Sequence, residues 1–224
     1  MDLLRYFIVA LFAFLFNFTF DSESFDYKVF SDKFIDENQK KKVIVDSNLD
    51  LEDAISGLHI PDDIRKKLCI VNVYYFGYDS LVHRGQIITD DELKKEVTEI
   101  FNELFRKKFP INKIVPIVKY NWSDKLSMED NNTSCFNYRN IQGTTKLSDH
   151  SYGRAVDINP LQNPYINYKT KNRSPENATY NKNHKGTIMK DSEIVLVFKK
   201  YGWKWGGDWR YTKDYQHFYK KQIH

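Results

Sequence analysis

Apolar and polar positions follow one another along the chain with changing period, and each stretch predicts a different element. Residues Leu3 to Phe20 are apolar except for Arg5, Asn17 and Thr19, with Arg5 ahead of the unbroken run Tyr6 to Phe16. A positive charge before an apolar run marks a targeting segment, so residues 1–20 are expected to direct export. The run is shorter than the roughly 20 residues that cross a bilayer, and no A-x-A site follows it. Both a cleaved signal peptide and an uncleaved membrane tether through residues 3–20 therefore stay open. A buried core helix fits less well, because phenylalanines lie all round the segment and leave no polar face. Over residues 21–61 the composition turns polar and charged, through Gln39-Lys40-Lys41-Lys42. That predicts a linker or arm without chemistry.

The periodic part of the chain follows, and it predicts one α+β domain over residues 62–224. Leu68 to Phe76 is rich in Ile, Val and Tyr and stops at Gly77, the composition of a core strand. Thr89-Asp90-Asp91-Glu92 reads as a capping box opening a helix. Leu93, Val97, Ile100, Phe101, Leu104 and Phe105 then recur at spacings of three and four, an apolar stripe that belongs to the scaffold. Ile111 to Tyr120 predicts a second strand, placed at an edge or bulge by Pro116. Asp124 to Ser134 reads as a polar loop. Residues 166–190 show little period and are too long for an ordinary connection, which predicts either a wall beside a site or a tolerated insertion. Ser192 opens a helix through Ile194, Val195, Val197 and Phe198, stopped by Gly202. A small antiparallel sheet flanked by helices is the expected architecture.

Composition changes this picture little. Apolar residues at 41% and aromatics at 16% suit a filled core in a chain of 224 residues. The formal charge of +4 is a mild excess that favours an anionic partner such as a wall polymer or lipid surface. No nucleic-acid reader module is present, so nucleic acid is not expected, and a monomer is. Cys69 and Cys135 form no C-x-x-C pair; Cys69 lies in an apolar run and reads as a buried free thiol, with a single bridge as the alternative.

Candidate chemistry concentrates in Ser148-Asp149-His150-Ser151-Tyr152-Gly153-Arg154-Ala155-Val156-Asp157-Ile158-Asn159. Gly153 permits a sharp reversal between His150 and Asp157. After it, Ala155, Asp157 and Asn159 share one face of an extended strand while Val156 and Ile158 take the other, so Asp157 faces back toward His150. A third metal ligand and a base come from Asp214-Tyr215-Gln216-His217-Phe218. If Tyr215 to Tyr219 form a strand, Asp214 points away from His217 and must sit in the bend before it. His83 and His184 lie outside these clusters and read as solvated.

The pattern S-x-H-x-x-G-x-A-x-D, followed much later by an acidic residue three before a histidine, resembles the M15 family of zinc peptidases. That family includes D-alanyl-D-alanine carboxypeptidases and endolysin L-alanyl-D-glutamate peptidases. The resemblance extends to Cys135-Phe136-Asn137-Tyr138-Arg139, to Asn159 through Tyr165 and to Gly202-Trp203-Lys204-Trp205-Gly206-Gly207-Asp208-Trp209, and spans roughly residues 65–220. It implies Zn2+ held by His150, Asp157 and His217, with a fourth position left for water. One carboxylate and two neutral imidazoles leave the ion about one net positive charge, enough to acidify that water and polarise a carbonyl.

It further implies Asp214 as general base and Arg139 as the group that holds a substrate oxygen. Many members carry Glu where this chain has Asp214; Asp also occurs in the L-alanyl-D-glutamate branch, which leans toward L,D-cleavage. Ser148 and Tyr152 are expected to orient ligands or bind substrate. Trp203, Trp205 and Trp209 are expected to pack a sheet end, and Gly206-Gly207 to allow close backbone approach. The implied activity is hydrolysis of peptidoglycan stem peptides outside the cytoplasm, by carboxypeptidase or endopeptidase action. The competing reading is a zinc-stabilised wall-binding or signalling module that does not cleave.

Overall fold

The computed structural model describes residues 42–221. The apolar segment 1–20 and the arm up to residue 41 lie outside the described residues. Among the described residues no helix is long and apolar enough to cross a membrane. The fold is mixed α+β, with four small sheets and short helices.

Residues 43–61, expected as part of a polar arm, instead belong to the domain. Strand β1 (Ile44–Val45) pairs in parallel with the strand ending at Asp90. Helix α1 (Leu51–Ala54) is capped by the Asp50 side chain, which accepts from Asp53 N. Ala54, Ile55 and Ile60 are buried against Ile64, Leu68, Ile88 and Phe136. The mean polarity of the segment hides these few apolar residues, which close an end of the core. Helix α2 (Asp62–Arg65) follows.

Strands β2 (Leu68–Phe76) and β3 (Val82–Asp90) form a long antiparallel hairpin, paired from Leu68 opposite Asp90 to Phe76 opposite Val82. Val71, Val73 and Tyr75 alternate inward and meet helix α3 (Lys94–Arg106), whose Val97, Ile100, Phe101 and Leu104 fill the same core. Each such fully buried side chain contributes about 1.5–3 kcal/mol. The helix start differs from the expected capping box. Thr89 and Asp90 still belong to β3, and the Asp90 carboxylate accepts from Glu92 N. Thr89 is unavailable as a cap because its hydroxyl donates to the Gly153 carbonyl at 2.9 Å.

The stretch 111–120 yields only β4 (Lys113–Ile114), with Pro116 ending the extended run and a 3-10 turn over Ile117–Tyr120. The polar stretch after it contains helix α4 (Asp124–Glu129), capped by Ser123, and β5 (Asn132–Thr133), paired with β4. β6 (Ala155–Asp157), β9 (Lys204–Trp205) and β11 (His217–Tyr219) make an antiparallel sheet in the order β6-β11-β9. The long segment 166–190 is part of a second sheet, in which β7 (Tyr165–Asn167) lies between β8 (Arg173–Ser174) and β10 (Thr212–Asp214). Helix α5 (Glu193–Lys200) packs Ile194, Val195, Val197 and Phe198 inward and ends before Gly202, at φ +77°.

His83 departs from its expected solvated state. Its Nδ1 lies 3.1 Å from Asp46 and its Nε2 3.2 Å from Asp79, while the ring stacks on Tyr75. It ties β1 to the hairpin. His184 is exposed. Both cysteines are free thiols, Cys135 buried and Cys69 half-buried.

Candidate active site

The antiparallel sheet brings two of the expected ligands directly opposite one another. β11 pairs with β6 so that His217 registers with Asp157. Alternation along β6 sends Val156 into the core and leaves Asp157 on the site face. His150 comes from the 3-10 turn Asp149–Tyr152 just before β6. Gly153 follows that turn at φ +64°, a left-handed conformation, and a Cβ there would lie 2.6 Å from Asp90 N. Only glycine reverses the chain that close to the end of β3.

The turn is fixed from several sides. Ser148 accepts from His150 N at 3.3 Å, so its hydroxyl caps the turn. Ser134 and Asp157 exchange backbone hydrogen bonds, and Asn137 N donates to the His150 carbonyl. The Cys135 carbonyl is thereby placed 2.5 Å from His150 Nδ1. A carbonyl only accepts, so Nδ1 carries the proton and Nε2 keeps its lone pair toward the cluster.

The donor set fits a metal ion. His150 Nε2 lies 3.2 Å from both Asp157 Oδ2 and His217 Nδ1, and His217 Nδ1 lies 2.9 Å from Asp157 Oδ1. Donors at about 2.0–2.1 Å from a tetrahedral ion stand roughly 3.3 Å apart, close to this triangle. Burial alone would raise the Asp157 carboxyl, but His150 and His217 hold it well below the usual carboxylate range. Burial opposes charge on His217, yet its contact with Asp157 raises its pKa. His150, Asp157 and His217 are thus a group able to hold a metal ion.

Asp214 does not occupy a bend, as expected, but the last position of β10, opposite Tyr165. Two intervening residues turn the chain from this sheet into the ligand sheet. Gly206 backs onto Asp214 so closely that a Cβ would lie 2.6 Å from its carbonyl oxygen, and Gly207 does the same against the Trp205 ring. Lys213 donates to the carbonyls of Gly207 and Trp209, which locks the glycine turn to β10. Burial pushes the Asp214 carboxyl up to about 6, with His217 opposing the rise and Asp157 adding to it. Its Oδ1 is buried and has no hydrogen-bond partner among the described residues. A buried oxygen left unpaired beside a ligand cluster is a group placed for an incoming proton donor.

Arg139 is tied to the ligand turn through its backbone. Ser151, fully buried, accepts from Arg139 N at 2.9 Å and donates to its carbonyl at 2.7 Å. The guanidinium pairs with Asp124 at 3.2 Å, while its Nε is buried without a partner among the described residues. Tyr152 packs with Ile60, Ile64 and Leu68 in the N-terminal core. Ser148 thus helps to orient the turn that carries His150, while Tyr152 packs against the N-terminal core. Trp203 and Trp205 are buried, as expected; Trp209 is half-buried, 5.8 Å from the His217 ring, and donates to the Tyr219 hydroxyl. Tyr219 stacks on the other part of His217 at 5.3 Å.

Arg154, inside the motif, escaped the sequence reading. Its guanidinium meets Asp90 at 2.6 Å and Glu92 at 3.2 Å, and its Nε donates to the Lys220 carbonyl, joining the end of β3, the 3-10 turn before α3 and the residue after β11. Ser151 and Lys213 were missed as well. Arg154 acts through partners more than sixty residues away, and Ser151 and Lys213 act through backbone groups of folded turns, which no local spacing announces.

Helices and small sheets surround a buried His-Asp-His cluster that could hold a metal ion, with a raised carboxyl beside it. Residues 142–220 match the family model described as D-alanyl-D-alanine carboxypeptidase, which supports an M15 family peptidase. The match contains all three candidate ligands and Asp214; it starts after Arg139 and is narrower than the span of the motif resemblance. No curated protein and no solved structure matches the chain.

Proposed function

We propose that this chain is a zinc peptidase that hydrolyses peptide bonds in peptidoglycan stem peptides outside the cytoplasm. The observation that carries the reading is the convergence of His150, Asp157 and His217 next to Asp214, a carboxyl with an unpaired buried oxygen and a pKa raised to about 6. The family match supports the peptide substrate, and the apolar segment at residues 1–20 supports export. A zinc ion, when bound, supplies Lewis acidity and an acidified water.

The protein's own groups do the rest. Asp214, ionised above its raised pKa, takes a proton from the attacking water and passes it to the leaving amine. Its poise near neutrality suits both transfers, since a carboxylate of ordinary acidity would take the proton too reluctantly. Arg139, held at one end by Asp124, keeps N–H groups to offer a substrate oxygen as negative charge develops. Trp209 and Tyr219 wall the His217 side of the cleft and shield the reacting groups from bulk water.

The test is digestion of defined stem peptides, followed by mass spectrometry, with and without chelator. Cleavage that needs one equivalent of zinc and disappears in Asp214→Ala is expected. Stoichiometric zinc without cleavage would instead establish a non-catalytic module.

A further inference from the structure

The segment 165–190 carries six Lys and Arg (169, 171, 173, 182, 185 and 190) against one acidic residue, Glu176, a balance of +5. The whole chain carries +4, so the remaining residues together stand at −1. All six cations are exposed, and none forms an ion pair among the described residues. A solvated surface of ordinary composition would spread its excess charge; here it is gathered into one insertion.

That insertion is joined to the site. Its strand β7 pairs with β10, placing Tyr165 opposite Asp214, and β8 on the far side of β7 places Arg173 opposite Ile166. With strands about 4.8 Å apart, Arg173 stands roughly 10 Å from the row that ends in Asp214. At the hairpin turn, the Tyr168 hydroxyl reaches the Tyr215 hydroxyl at 3.2 Å, one residue from Asp214. Tyr180 stacks on the other part of Tyr215 at 3.8 Å. Tyr168 remains 59% exposed, flanked by Lys169 and Lys171.

From this juxtaposition we infer that the β7–β8 hairpin is a second substrate contact, which docks the carboxylate-bearing wall polymer beyond the scissile peptide. The inference rests on the stem-peptide reading above. A polymer lying across Tyr168, Lys169 and Lys171 feeds directly toward Asp214, so the anions it brings there are those of the substrate strand itself. Unpaired cations at the rim of a site raise the local concentration of an anionic substrate and its rate of capture. A lipid surface is a poorer occupant, because residues 168–172 include no Leu, Ile, Val or Phe to insert.

The experiment measures binding of the full chain carrying Asp214→Asn, which prevents digestion, to purified wall sacculi by co-sedimentation. Three kinds of sacculi are compared: untreated, stripped of phosphodiester polymers, and with carboxyl groups amidated. Lys169→Glu with Lys171→Glu is expected to weaken binding about tenfold at low salt, and Lys169→Gln with Lys171→Gln by a smaller factor. Lys66→Glu with Lys95→Glu, exposed charges just after α2 and on α3, changes binding little. Amidation is expected to abolish the difference between parent and hairpin variant, while removal of phosphodiesters preserves it.

Equal binding by parent and hairpin variants overturns the inference. Loss of the difference on phosphodiester removal alone overturns the choice of carboxylates, and equally charge-dependent binding to anionic vesicles overturns the choice of the wall. If binding follows the hairpin charges but the parent chain cleaves no soluble stem peptide, docking stands and the proposed catalysis falls.

Discussion

Asp214→Asn separates the demands of catalysis from those of folding. In the folded chain burial raises the Asp214 carboxyl from its ordinary 3.8 to about 6. Between those two values the folded state binds a proton that the unfolded state has released, so stability falls as pH rises through the interval. A shift of about two units at 1.36 kcal/mol each sets a ceiling of roughly 3 kcal/mol by pH 7. Asp214 is half-buried, and solvent screening reduces the expected figure to about 1–2 kcal/mol. Asparagine has the same shape without the charge. Metal-free Asp214→Asn at pH 7.5 should therefore be more stable than the parent by about that amount, with the gain shrinking toward zero near pH 4. Peptide hydrolysis should fall by about 10²–10⁴ because no base remains. Urea unfolding at several pH values with chelator present, together with hydrolysis rates of the zinc-loaded protein, measures both. A variant destabilised at pH 7.5, or one retaining near-parental hydrolysis, would refute the placement of a desolvated base at this position.

Other perturbations probe the supports of the site. The parent chain should hold one equivalent of zinc by elemental analysis, and His150→Ala or His217→Ala should lose both metal and hydrolysis, since two donors do not retain the ion against a chelator. Hydrolysis should decline as pH drops through about 6, where Asp214 becomes protonated, and a pH–rate profile of kcat/KM reads this directly. Gly206→Ala puts a methyl 2.6 Å from the Asp214 carbonyl and must displace β10; kcat should drop at least about tenfold with zinc content unchanged. Arg154→Met leaves Asp90 buried without its cation, and urea unfolding should report a loss of about 3–5 kcal/mol.

The elements that local chemistry specifies were legible without coordinates. The three-and-four spacing from Leu93 to Phe105 marked α3, and the run from Leu68 to Phe76 marked β2, because each pattern buries one face. The ligand motif was legible for a related reason: a turn needing Gly153 and a short alternating strand leave few ways to face Asp157 toward His150. Less was visible where distant partners decide. Thr89 looked like a cap from its neighbours, but its hydroxyl is taken by Gly153. Residues 43–61 looked like a linker by mean polarity, yet Ala54, Ile55 and Ile60 close an end of the core. His83 looked solvated, and two aspartates from different segments hold it.

By itself the sequence determined the ligand types, their order and the local geometry that pairs His150 with Asp157, because these depend on residues within a few positions of one another. Tertiary structure alone decided that His217 registers with Asp157, that Asp214 closes a different sheet, and that Gly206, Ser151 and Arg154 hold these groups in place. The physical reason is that strand register and close backbone approach are set by which segments meet in the folded chain, whatever their separation along it. No local pattern encodes which distant strand a segment will meet.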